Sequence, residues 1–264
     1  MRYAVHIGLN QVNPQAYNGW DGELTGAVND ANIMEKLIGA AARVKLLNAN
    51  ATIKNVKSAV KDFVTQAIRD YSMTGITNEL YITYSGHGAQ VPDRNHDEVD
   101  GHDETWCLYD GMITDDAIRL MLTQFITHEK IKIYIFSDSC HSGTIAKVAF
   151  GLASDLEPYK RPKMMPANIS HEGITVITDR NVSSIRRLTN STGVNIMTLS
   201  GCQDAEVSYD LGEHGAFTQA IMKCEKPGMT YMELLVAVRD ALKGMQTPKL
   251  TYSGGRSIIY RNIF

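Results

Sequence analysis

No segment of the 264-residue chain approaches the roughly 20 consecutive apolar residues that span a bilayer. The opening MRYAVHIGLN is no signal peptide either, because its apolar run is short and contains His6. Cysteine is sparse. Cys107, Cys140, Cys202 and Cys224 include no CxxC pair, and no Cys/His run has the spacing of zinc ligands. There is no internal repeat and no basic stripe. A net charge of −3 gives no general attraction to nucleic acid or anionic membrane, so a cationic ligand must be held by a local site. These absences point to a cytoplasmic protein with free thiols in a reducing setting. What is present is ordinary for a globular chain: 44% apolar and 21% charged residues, in a length that fits one large domain or two small ones.

Short apolar runs alternate with segments of helical period. YAVHIGL (3–9) reads as a buried strand, and AVNDANIMEKLIG as a helix with Met34, Leu37 and Ile38 on one face, stopping at Gly39. ARVKLL is a second strand. From Thr52 to Ile68, the residues Ile53, Val56, Val60, Phe63 and Ala67 share a helical face. ELYITYSGHG is a strand running into a glycine-flanked turn, and the acidic PDRNHDEVDGHDE is expected to be a loop. Thr114 is an N-cap candidate for a helix carrying Ile118, Met121, Leu122 and Phe125. The strand KIYIFSDSC follows. Residues 151–192 hold little order beyond GITVIT. Then come the strand VNIMTLSGC, the helix GAFTQAIMKC, a helix with a Thr230/Glu233 capping box presenting Leu235, Val238 and Leu242, and a last strand PKLTYSG. This alternation implies an α/β fold with helices on both faces of a mostly parallel sheet, where sites gather at the carboxyl ends of strands.

Two strand ends carry complementary chemistry, YSGHG and SDSCHSG. A thiol needs a base within reach to act as a nucleophile near neutral pH. His141 is adjacent to Cys140, but consecutive side chains in an extended chain point apart. His87 sits in its own Gly-His-Gly turn and meets Cys140 if the two strands are neighbours. Taken alone, Cys140 reads as a buried structural thiol and His87 as a turn histidine. Together they favour a His/Cys dyad, with the backbone N–H groups of Gly88 and Cys140 as donors to a developing oxyanion. No side chain stands out as the group that orients His87. A backbone carbonyl could do so. Asp138, two residues before Cys140, points to the same side by strand parity, and Ser85 is related to His87 in the same way.

YSGHG, DEVDGHDETWCLYDGMITDDAI, DSCHSG and SGCQDAEVSYD…GAFT, in that order over nearly the whole chain, resemble the metacaspases of the caspase-like clan. The resemblance implies a caspase fold with a six-stranded, mostly parallel sheet between helices. It divides the chain into a large-subunit-like part (1–150), a linker (151–192) and a small-subunit-like part (193–264). It implies a monomeric endopeptidase cutting proteins or peptides after arginine or lysine with His87 and Cys140. Asp138 would receive the basic side chain, with Ser85 beside it and Asp30 as a second acidic wall. As plain residues, Asp138 could instead cap a turn and Asp30 could serve a helix first turn.

The chemistry itself needs no cofactor. The resemblance also implies calcium activation, with Asp100, Asp103, Asp115 and Asp116 in the matching region. Asp115 and Asp116 suit a helix start regardless, and Lys147 stands where the family supplies a further aspartate. A bare catalytic unit without an amino-terminal extension is expected, since the first strand begins at residue 3. Lys160, Arg161, Lys163, Arg180, Arg186 and Arg187 in the linker are candidate autocleavage positions, or a solvated basic surface. The competing expectations are a non-catalytic interaction module of caspase fold and a clan relative with another specificity, gingipain- or separase-like.

Overall fold

A computed structural model describes residues 1–93, 101–123, 130–140, 160–178, 194–203 and 206–264. The strands are β1 (Arg2–Gly8), β2 (Ala42–Leu47), β3 (Asn78–Ser85), β4 (Gly88–Pro92), β5 (His102–Leu108), β6 (Gly111–Thr114), β7 (Ile131–Asp138), β8 (Arg161–Pro162), β9 (Val176–Ile177), β10 (Asn195–Ser200), β11 (Tyr209–Asp210) and β12 (Lys249–Ser253). The helices among the described residues are α1 (Ala27–Ile38), α2 (Ile53–Thr74), α3 (Asp115–Thr123), α4 (Ala216–Cys224) and α5 (Tyr231–Ala241).

The central sheet has six strands in the order β12-β10-β7-β3-β1-β2. Every pairing is parallel except that of the edge strand β12 with β10. The expected six-stranded, mostly parallel caspase-like sheet is therefore present. Period-two alternation sends successive side chains to opposite faces. Tyr3, Val5 and Ile7 of β1 and Leu80 and Ile82 of β3 pack on one side with Val56, Val60 and Val64 of α2 and Ile118 and Leu122 of α3. Ala4, Tyr81, Tyr134 and Phe136 face the other side, against Met34 and Ile38 of α1, Phe217 and Ile221 of α4 and Leu234 and Val238 of α5.

Local signals account for most element ends. Gly39 and Gly75 take the left-handed conformation that closes α1 and α2. Thr52 caps α2 by accepting from the N–H of Asn55, and Thr114 caps α3 by accepting from the N–H of Ala117. The Thr230/Glu233 capping box is formed in full at the start of α5.

Three expectations need correction. α2 runs to Thr74 rather than Ile68, and its apolar face includes the fully buried Val64 as well as Phe63, which packs on the core only partly buried. Phe63 sits at the margin, its ring 5.5 Å from that of Tyr3. The acidic stretch is not all loop, because Pro92 and residues 102–104 belong to β4 and β5, which pair antiparallel. Asp103 occupies a buried position of β5, so the stretch lacks the apolar-in, polar-out alternation that would have marked the strand. The two-residue turn Tyr109–Asp110 joins β5 to β6, with Leu108 opposite Gly111. Finally, GITVIT yields only the two-residue β9.

His6 lies in the middle of β1, fully buried, with Nδ1 3.0 Å from Thr83 Oγ1. Burial is the main cause that lowers its pKa from 6.5 to about 4. A buried base with a depressed pKa contributes stability that is complete above pH 6.5 and is lost as pH falls towards 4. Denaturant unfolding of wild type should weaken by up to about 3 kcal/mol over that interval on account of His6. His6→Leu should flatten the slope. An unchanged pH dependence in that variant would contradict this account.

Candidate active site

The site forms where two neighbouring parallel strands end. β3 and β7 pair with Ser85 opposite Asp138, and the Gly86 N–H donates to the Asp138 carbonyl at 3.4 Å. The chain continues from β3 through Gly86 to His87, and from β7 through Ser139 to Cys140, so the two strand ends expected to be neighbours adjoin. The turn at His87 is locked from below. Tyr84 Oη donates to the carbonyls of His87 at 2.6 Å and Cys107 at 3.0 Å, and the Cys107 N–H donates back to the His87 carbonyl. A methyl group at Gly86 would lie 2.7 Å from Tyr84 Oη, so glycine is what lets the tyrosine reach under the turn.

The His87 ring packs edge-on against Trp20 with centroids 4.8 Å apart. Its Nε2 is 3.1 Å from the Gly22 carbonyl oxygen. A carbonyl only accepts, so Nε2 carries the proton of the neutral ring and Nδ1 keeps its lone pair. Nδ1 is buried with no hydrogen-bond partner among the described residues. Burial lowers the His87 pKa to about 3, opposed by the backbone of Gly22 and Met164 and assisted by the charge of Lys163. Cys140 is completely buried, with Sγ 4.0 Å from the Ser208 carbonyl oxygen. Burial pushes its thiol up to about 12, although Ser208 and Lys163 act the other way. In this arrangement both groups are neutral.

Their burial has a specific cause. Lys163, in the segment expected to be a linker, lies over the two strand ends with none of its surface exposed. Its ammonium is 3.0 Å from Asp30 Oδ2, 3.1 Å from Asp138 Oδ2 and 2.8 Å from Ser85 Oγ. The structure therefore brings Asp30, Ser85 and Asp138 together around one positive side chain. Lysine is almost never fully buried without such partners.

Each carboxylate has further donors. Asp138 accepts from Ser208 Oγ at 2.8 Å and from the N–H and Oγ1 of Thr218 at 3.1 and 2.8 Å. Asp30 accepts from Ser85 Oγ at 2.7 Å and the Gly215 N–H at 3.0 Å, and His214 Nδ1 stands 3.1 Å away. Burial works against the charge of Lys163, yet Asp138 and Asp30 win and raise its pKa, so it stays an ammonium. Burial likewise opposes ionisation of Asp30, but Lys163 and its other donors hold it below the ordinary carboxylate range. Asp138 goes the other way, pushed up by burial and by the nearby Asp30 charge despite Lys163. His214 is raised by its bond to Asp30.

The backbone of the same segment is held as firmly. The carbonyl oxygen of Lys163 accepts from the N–H of Gly88 at 3.1 Å and the N–H of Cys140 at 3.2 Å. The Lys163 N–H donates to the Ser208 carbonyl at 2.8 Å, and the Met165 N–H to the Gly88 carbonyl at 2.8 Å. On the amino side, β8 pairs antiparallel with β11, Pro162 opposite Tyr209 and Arg161 opposite Asp210. Gly215 closes the pocket floor. A methyl group there would collide with Asp138 Oδ2 and Lys163 Nζ.

Several members of this site escaped the sequence reading: Lys163 as the buried occupant, Gly22, Ser208, His214, Gly215 and Thr218. Gly215 and Thr218 lie within the GAFT stretch quoted for the resemblance, which was the available signal. Nothing local set Lys163 apart from the other linker cations. Lys160 and Arg161 are described and lie outside the pocket, whereas Arg180, Arg186, Arg187 and also His141 and Lys147 fall outside the described residues. Of the acidic residues expected around calcium, Asp103 is on β5 and Asp115 and Asp116 open α3, while Asp100 lies outside the described residues. No group of three or more His, Cys, Asp or Glu side chains converges on a metal position among the described residues. None of the described helices is long and apolar enough to cross a membrane.

Comparison with known proteins agrees with this geometry. The chain is 28% identical over 292 residues to Metacaspase-1 of Mycosarcoma maydis, covering 96% of this chain and 70% of that one. It is 26% identical over 293 residues to Metacaspase-1 of Schizosaccharomyces pombe, covering 96% and 67%. With Metacaspase-1 of Arabidopsis thaliana the identity is 28% over 241 residues, 84% of this chain and 60% of the relative. The chain thus spans roughly two thirds of the length of these relatives. A crystal structure of a Geobacter sulfurreducens protein superposes with a TM-score of 0.77 at 28% identity, covering 98% of this chain and 97% of that one. Residues 1–257 match the Caspase domain family, peptidase C14. A mostly parallel sheet whose neighbouring strands β3 and β7 run into a histidine turn and a cysteine turn, within a match across almost the entire chain, places the protein in the caspase-like cysteine peptidase family.

Proposed function

We propose that the protein is a cysteine endopeptidase that cuts after lysine or arginine through a His87/Cys140 dyad, and that it holds Lys163 as an internal substrate ready for self-cleavage. One observation carries this reading: the Lys163 side chain lies between two carboxylates while its carbonyl oxygen accepts two backbone N–H bonds beside the cysteine. A buried structural lysine would need the ion pairs. It would have no need for a carbonyl aimed at the N–H groups of Gly88 and Cys140.

The chemistry follows from these positions. Nδ1 of His87 takes the proton of the Cys140 thiol, and the sulfur attacks the carbonyl carbon of the P1 residue. The oxygen that becomes negative is already seated on the N–H groups of Gly88 and Cys140, which are fixed before the charge develops. His87, with Nε2 held by Gly22, then gives the proton to the leaving amine. In the internal substrate this is the nitrogen of Met164. Water finally hydrolyses the thioester. Neutral partners suit this sequence, since a thiolate or an imidazolium formed too early in the buried site would be unsolvated.

The preference for a cation at P1 has the same source. An arginine or lysine ion-pairs with Asp30 and Asp138. An aspartate there would add a third carboxylate to the two already buried, at a cost of several kcal/mol.

Peptides differing only in P1 Arg, Lys or Asp, assayed with and without calcium, test the proposal. Cleavage after Arg and Lys is expected, none after Asp, and none by Cys140→Ala. Asp138→Ala should reduce cleavage after Arg by about a hundredfold or more, as expected for leaving a buried charge unpaired, with Cys140 still alkylatable. Normal cleavage of Arg peptides by that variant would rule out the pocket assignment. Gly215 has φ −65° and ψ 144°, so alanine adds no backbone strain, but its methyl displaces the Lys163 ammonium, and the Gly215→Ala protein is first checked for wild-type circular dichroism. Its added methyl should block the pocket and depress kcat/KM for both Arg and Lys peptides. Undiminished activity would show that the cation binds elsewhere.

A further inference from the structure

Resting on the reading of Lys163 as the P1 residue, we infer that the enzyme selects an extended segment with basic side chains at P3 and P4 and an apolar residue at P1′. Glu23, Tyr209 and Val207 are the residues that determine this choice. The docked chain itself displays the subsites. With Lys163 at P1, Pro162 is P2, Arg161 is P3, Lys160 is P4 and Met164 is P1′.

At P3, Arg161 Nη1 lies 3.0 Å from Glu23 Oε2. Glu23 belongs to a loop tied to the substrate-binding strand, because Asp210 of β11 accepts from the N–H groups of Thr25 at 2.6 Å and Gly26 at 3.1 Å. Its carboxylate is thus held near the strand on which β8 pairs. At P4, the Lys160 ammonium sits 4.2 Å from the centre of the Tyr209 ring, within cation–π range. At P1′, Met164 is 1% exposed and packs with Cys140, Cys202 and Val207. These walls are not part of the docked segment, so they would meet any substrate in the same register.

The three contacts differ in strength. The Arg161–Glu23 pair is half exposed and should contribute no more than about fivefold. The lysine–tyrosine contact is similar, about threefold. Complete burial of a methionine side chain is the largest, about tenfold or more. P1′ should therefore dominate, and P3 and P4 should refine the choice towards basic clusters.

Steady-state cleavage of internally quenched peptides tests the inference. The reference peptide carries Lys-Arg-Pro-Lys before the scissile bond and Met-Met after it. The enzymes are the wild-type chain and Lys163→Ala, whose own segment no longer anchors in the pocket. Replacing P1′ Met by Asp should lower kcat/KM about tenfold or more, replacing P3 Arg by Glu about fivefold, and replacing P4 Lys by Ala about threefold. Glu23→Lys should reverse the P3 preference, so that the P3 Glu peptide becomes the better substrate, an inversion that mere loss of structure does not produce. Equal kcat/KM across these peptides, with cleavage after Lys retained, would overturn the inference and leave the P1 assignment standing. No cleavage of any P1 Lys peptide by either enzyme would overturn both.

Discussion

The ammonium of Lys163 between Asp30 and Asp138 is the interaction on which the rest of the site depends. Here, with none of its surface exposed, a lysine is removed from water together with two carboxylates. Such a cluster persists only when every member is paired, since losing one partner strands a buried charge at a cost of about 3–5 kcal/mol. The pairing explains why a segment with little regular structure of its own lies so firmly across the molecule. It also explains why His87 and Cys140 are dry. The same residue that satisfies the carboxylates puts its carbonyl on the Gly88 and Cys140 N–H groups, and its neighbour Met164 packs against Cys140.

The fold contributes by adjacency. β3 and β7 run parallel in the middle of the sheet, so their carboxyl ends deliver histidine and cysteine turns side by side, and Ser85 and Asp138, opposite one another in the register, reach the pocket beneath. α1 supplies Asp30 from one direction and the start of α4 supplies the Gly215 and Thr218 N–H groups from the other. The pocket is therefore built from elements far apart in sequence, and none of them binds a cation alone. His214, bonded to Asp30, couples the pocket to pH, since its protonation adds a second positive charge against the same carboxylate.

Much of the architecture was legible because its causes are local. Apolar runs marked the buried strands, Gly39 marked the end of α1, and Thr230 with Glu233 marked the start of α5. Chemistry at two glycine-rich strand ends made His87 and Cys140 visible, and strand parity suggested Asp138 and Ser85. The remainder was not local. The Gly22 carbonyl that fixes the imidazole is a backbone group in a loop, and no residue type announces it. Asp30 looks like any acid near a helix start until Lys163 is beside it. Lys163 resembles its basic neighbours because its identity as occupant comes from where the chain crosses the sheet, a tertiary fact. The strand at 102–104 was hidden for a simpler reason, as the charged Asp103 takes a buried position where an apolar residue would have marked the strand.

An internal lysine held in the manner of a substrate links resting state and activity through a single peptide bond, that between Lys163 and Met164. The most direct measurement is the intact mass and amino-terminal sequence of the fragments that form when the purified chain is incubated. The account predicts one carboxyl-terminal fragment beginning at Met164, absent from the Cys140→Ala protein. A Cys140-dependent cut at some other basic residue of the segment, with the Lys163–Met164 bond intact, would contradict it.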